Sequence, residues 1–213
     1  MIIDIQDWGL KQYRSWGFFT VQSDTIPVNA NFIFSYCSNL DPAIISILFF
    51  STKQLAGVNH VYLASYFAAK AINEGRNRAK DLGMEILLYL SGQNQINIAT
   101  ARYGISELQK KDKELWGVVF FTNSAEILLI EKAKLEEHLN ISLLNTSRDT
   151  PILCNKTSTL FETNSEYLGV LNQIPLDFPQ LPVRPTLKQE KVILQSIIEK
   201  MVLLSLDETK LEL

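Results

Sequence analysis

Residues 71–90 read AINEGRNRAKDLGMEILLYL, and the way this stretch is divided decides the fold. Upstream of it a helical period runs from Asn59 to Leu82. Val61, Ala64, Ala68, Ala71, Ile72, Gly75, Ala79 and Leu82 fall within about a third of the helical wheel. That spacing predicts one long helix with a buried stripe of small residues, in which Gly75 serves close approach to a neighbour and not helix propensity. Gly83 then stands where a left-handed C-cap is wanted, and Met84–Leu90 follows as a strand. The turn SGQNQ (91–95) leads into a second helix from about Gln95 to Tyr103, closed by Gly104.

Working outward, WGFFTVQS (16–23) is rich in aromatic and β-branched residues and reads as a strand. NLDPAIISILFFS (39–51) fits either a buried strand or a helix opened at Asp41–Pro42, and is read as a short helix passing into an extended segment. LWGVVFFT (115–122) predicts a central strand, and SAEILLIEKAKLEEHL (124–139) a helix with Ser124 as its N-cap. A short helix is expected around 157–172. Four prolines make 174–186 an extended connector, after which Thr186 caps a last helix running to about Leu206. Residues 1–14 are read as an N-terminal extension. Helices and strands together describe a mixed α+β chain, folded as a single compact domain.

Composition sets limits. The 213 residues are 46% hydrophobic, enough for a substantial core, and carry a formal charge of −3 with a pI near 5.5. Such a balance argues against coating duplex nucleic acid through overall charge, so any RNA contact has to be local. No apolar stretch has the length of a membrane span and the N-terminus lacks a signal-peptide pattern, so a cytoplasmic location and no membrane partner are expected. Cys37 and Cys154 have no CxxC spacing and read as buried thiols in a reducing compartment. His60 and His138 fall on separate predicted helices without metal-ligand spacing. There is no P-loop, no GxGxxG opening a helix and no GxSxG elbow. Glu136–Glu137 belongs to a charged helix face. No catalytic residue, metal, cofactor or small-molecule substrate is therefore assigned. The alternative is a small-molecule enzyme built on the SGQNQ turn, with His60 as its acid or base.

Surfaces left over once the core is satisfied point to binding. On the 59–82 helix, Leu63 and Phe67 lie outside the small-residue stripe, so either another segment of the chain or a partner covers them. On the last helix Leu187, Leu194, Ile197, Ile198, Met201 and Val202 form one face, while Val192 and Leu203 project from nearly the opposite side. A helix apolar on two sides has to be buried on two sides, by its own chain or by a partner. Lys70, Arg76, Arg78 and Lys80 are offset by Glu74 and Asp81. They either complement a helix dipole or, with Asn77 and the side chains of Ser91, Gln93, Asn94 and Gln95, offer donors to phosphates and unpaired bases.

The segment VNHVYLASYFAAKAINEGRNRAKDLGMEILLYLSGQNQINIATARYGIS, with IIEKMVLLSLD near the end, resembles the smallest core subunit of the KEOPS complex. This is the PRPK-binding protein (TPRKB) family, and the likeness is greatest to its archaeal members. The resemblance implies a central, largely antiparallel sheet flanked by helices. It implies a non-catalytic subunit of the machinery that makes threonylcarbamoyladenosine in tRNA. Such a subunit binds the complex's atypical kinase/ATPase and, in archaeal members, the single-stranded 3′ CCA end of tRNA. The donors read above, Arg76, Asn77, Arg78, Lys80, Ser91, Gln93, Asn94 and Gln95, are the expected RNA contacts. Leu63, Phe67, Val192 and Leu203 are the expected partner contacts. The chain departs from the family pattern in its longer N-terminus and its Pro-rich segment.

Overall fold

The computed structural model describes residues 1–22, 30–52, 54–104 and 116–145, together with Ile197, Ile198, Lys200, Met201 and Leu204. The helix expected at 157–172, the 174–186 connector, Cys154, Val192 and Leu203 lie outside the described residues.

Among the described residues, five strands form one antiparallel sheet: β1 (Ile2–Asp4), β2 (Ser15–Gln22), β3 (Ile45–Ser51), β4 (Trp116–Thr122) and β5 (Ser142–Asn145). The order is β1-β2-β4-β3, with β5 also pairing β2, so β1 and β5 share its outer edge. The helices are α1 (Ala30–Ser38), α2 (Val58–Asn73), α3 (Leu82–Ser91), α4 (Ile96–Tyr103) and α5 (Ala125–Leu139), and a 3-10 turn spans Gln6–Trp8. This is the mixed α+β architecture with an antiparallel sheet that the family resemblance implied.

Side-chain alternation explains why helices cover both faces of the sheet. Along β4, Trp116, Val118 and Phe120 enter one core while Val119 and Phe121 enter the other, and all seven residues are buried. β2 does the same, with Trp16 and Phe18 opposed to Phe19 and Val21. The second of these cores is closed by Ile33 of α1 and by Leu128 and Leu135 of α5. Burying α2, α3 and α4 closes the first, where Ile197, Met201 and Leu204 of the last helix also pack.

Punctuation set α5 as the sequence suggests. Ser124 Oγ accepts the Ile127 N–H at 3.2 Å. Residues 41–44 form a turn instead of a short helix, because Asp41 Oδ1 accepts the Ala43 N–H at 2.9 Å and the chain passes straight into β3. Residues 1–14 carry β1, and the Trp8 ring packs on Tyr62 at 5.2 Å and on Tyr66 at 5.7 Å. The largest correction falls on the opening stretch: α2 stops at Asn73, and Met84–Leu90 is helix, not strand.

Two glycines account for that change. Gly75 has φ +69 and nothing within 4 Å of where a Cβ would sit, so it serves the backbone and not close packing. Its N–H donates to Ile72 O and the Arg76 N–H donates to Ala71 O, the paired bonds that close a helix through a left-handed residue. Gly83 is no cap. It lies in the first turn of α3, buried, where an added Cβ would stand 3.4 Å from Leu48 Cδ1 of β3.

Candidate functional site

The loop between α2 and α3 is held from inside. Asp81 caps α3 by accepting the Met84 N–H at 2.8 Å. Four residues on, Glu85 is 1% exposed, and its Oε2 accepts the backbone N–H of Arg78 at 3.0 Å and of Ala79 at 2.7 Å. A buried carboxylate is costly unless it accepts such bonds, and here they fix two consecutive loop residues to the start of a buried helix. Sequence reasoning passed over Glu85. The signal that finds it is Asp81 as an N-cap with an acid in the first turn.

The basic residues of this loop are largely committed within the chain. Arg76 Nε donates to Glu74 Oε2 at 2.8 Å, and its guanidinium pairs with the same carboxylate. Arg78 Nη2 donates to the Leu204 carbonyl at 2.8 Å. Asn77 Nδ2 donates to Ala79 O at 2.8 Å. Lys80 is exposed and, among the described residues, makes no ion pair.

At the other end of α3, Gly92 takes a left-handed conformation (φ 61) and closes the helix as Gly75 closes α2. Asn94 and Gln95 are exposed and Gln93 partly so. Among the described residues none of their side chains takes a hydrogen bond, and the apolar Ile96 beside them is 43% exposed. Ser91 is different: it is 3% exposed and its hydroxyl donates to Leu88 O at 3.0 Å, inside the helix and not toward a ligand. The residues expected to form one RNA patch are thus split between the two ends of α3. At 1.5 Å per residue, the helix separates them by about 15 Å.

His60 lies beneath this second end and is fully buried. Its Nδ1 accepts the Ala56 N–H at 3.3 Å and its Nε2 faces the Leu90 carbonyl at 3.0 Å, which calls for the neutral tautomer with the proton on Nε2. Burial lowers its pKa to about 4, against the raising effect of the Leu90 bond. Both ring nitrogens serve the backbone, so the residue expected to act as acid or base in an enzyme ties the start of α2 to the end of α3.

Leu63 and Phe67 do not form an open face. They are 0% and 7% exposed, and the Phe67 ring stacks on Tyr89 of α3 at 5.9 Å. Of the two coverings expected, the chain's own is found: Met84–Leu90, as a helix, covers this side of α2. The partner-facing role expected of Leu63 and Phe67 is corrected to one in the core.

The chain matches the model of one protein family, described as kinase binding protein CGI-121, over residues 28–203. No curated protein matches it.

Proposed function

The chain belongs to the CGI-121 kinase-binding family, and from that premise we propose that it is a non-catalytic subunit of a KEOPS complex. In this reading it serves threonylcarbamoyladenosine formation in tRNA, in the cytoplasm, by binding the atypical kinase/ATPase subunit and the 3′ CCA end of tRNA. The observation that carries it is the family match across residues 28–203. Binding to a kinase follows from the family description; the complex, the tRNA and the residues that touch each partner are the proposal.

The last helix is the proposed kinase surface, through Val192 and Leu203. For the RNA, Lys80 and the exposed amides of Gln93, Asn94 and Gln95 are the first contacts. Support for them comes from their exposure and from the absence of competing bonds among described residues. Single-stranded ends are read by such groups and by stacking more than by a large positive field, which suits a chain of net charge −3. Arg76, Asn77 and Arg78 each already hold a bond within the chain and so stand behind these residues as contacts.

Co-purification of the kinase subunit with the wild type but not with a Leu203→Glu variant is the expected result. Equal recovery by both would remove the last helix from the interface. Gel mobility of tRNA with and without its CCA end tests the second half: retardation that survives removal of CCA would sink end recognition. The rival enzyme reading has no acid or base left in His60, whose two nitrogens are bonded to backbone groups.

A further inference from the structure

Trp16 of β2 and Ser65 of α2 are both fully buried. Among the described residues, neither the Trp16 Nε1–H nor the Ser65 Oγ has a hydrogen-bond partner. A serine inside a helix ordinarily turns its hydroxyl to solvent or back onto a carbonyl of the preceding turn. Ser91 and Thr100 take the second course, donating to Leu88 O and Ile96 O within their own helices. Ser65 takes neither, so its hydroxyl is aimed off α2 into the interior. Two observations bring the indole and the hydroxyl to one interface. Trp16 belongs to the core that α2 closes, and its ring meets Tyr62 edge-on at 5.6 Å. Ser65 follows Tyr62 by three positions, on the same flank of the helix.

We propose that one buried water molecule binds between β2 and α2, accepting the Trp16 Nε1–H and donating to Ser65 Oγ. A buried donor and a buried hydroxyl left without partners both destabilise a fold, and a single water satisfies the two at once. The ring and aliphatic contacts around it set no direction, whereas the bridge does, so the water fixes how α2 sits along β2. Neither the kinase nor the RNA enters this site, which stands whatever the chain binds.

Nuclear magnetic resonance on the full chain tests this directly. The Trp16 indole proton, identified by its loss in Trp16→Phe, should show a cross-peak to a long-lived water, and Ser65→Ala should weaken that peak. A wild-type indole proton without the cross-peak overturns the site. Urea unfolding gives a second reading. With the water bound, Ser65→Ala removes one of its partners and should raise the unfolding equilibrium constant about tenfold. An unbonded buried hydroxyl can be removed at no loss, so an unchanged or lowered constant in Ser65→Ala also overturns the proposal. Trp16→Phe should lose less in the Ser65→Ala background than in the wild type, because both side chains act through one molecule. Strictly additive losses would show two separate groups and no bridge.

Discussion

The two ends of α3 are built alike in sequence and differently in space. Each borders a polar stretch next to a glycine with positive φ, Gly75 before the helix and Gly92 after it. At the first end Arg76, Asn77 and Arg78 are spent on Glu74, Ala79 and Leu204. At the second, Gln93, Asn94 and Gln95 have no bonds to spend among the described residues, while the anchoring is done below them by His60. The two arginines therefore mark the end that holds the chain together, whereas Lys80 and the uncharged amides remain open to a ligand.

Breaking that contrast begins with the packing between the ends. Phe67→Ala should cost about 4 kcal/mol in urea unfolding, because the stack on Tyr89 is core. A loss below about 1 kcal/mol, within the range of exposed sites, would return Phe67 to a surface role.

The His60 anchor should make stability depend on pH. Its folded-state pKa of about 4 lies below the ordinary value of 6.5, so between those limits the unfolded chain binds more protons. Stability is full above pH 6.5 and falls as pH drops toward 4, by about 3 kcal/mol in all. Denaturation midpoints across that range should flatten in His60→Gln; an equal slope in both proteins would place the titrating group elsewhere.

Smaller effects sharpen the comparison. Asp81→Ala removes the cap of α3 and should cost about 1 kcal/mol in the same unfolding assay. Alanine at Gln93, Asn94 or Gln95 should change stability by no more than about 0.5 kcal/mol, as at exposed sites without partners. Those variants should nevertheless weaken retardation of CCA-ended tRNA; a stability loss as large as that of Asp81→Ala would mark the turn as structural instead.

Elements with local punctuation were legible from sequence. Ser124 announces α5, Gly104 closes α4, and β4 shows itself as an aromatic and β-branched run. The stretch 71–90 was not, for a physical reason. Every residue from Glu85 to Ser91 is buried, so α3 has no polar face and its apolar run carries no period to tell helix from strand. Once that run is taken for a strand, Gly83 becomes the nearest cap and Gly75 is absorbed into a helix it in fact ends. The candidate site suffered in proportion. Exposure of Lys80, Asn94 and Gln95 follows from composition, whereas the bond from Arg78 to Leu204 spans 126 residues and leaves no local trace.

The outer edge of β2 carries a consequence for how the molecule assembles. β1 occupies its first half, with Ile2 opposite Gly17, and β5 its second, with Leu143 opposite Val21. The first pairing closes a short hairpin-like loop, while the second joins residues about 120 positions apart, a separation that the pairing of β4 with β2 has already largely closed. With four paired residues against the seven that join β4 to β2, β5 should be among the last elements to dock. Truncating the buried Leu143 to alanine should speed unfolding and leave the folding rate nearly untouched, the signature of a contact absent from the transition state.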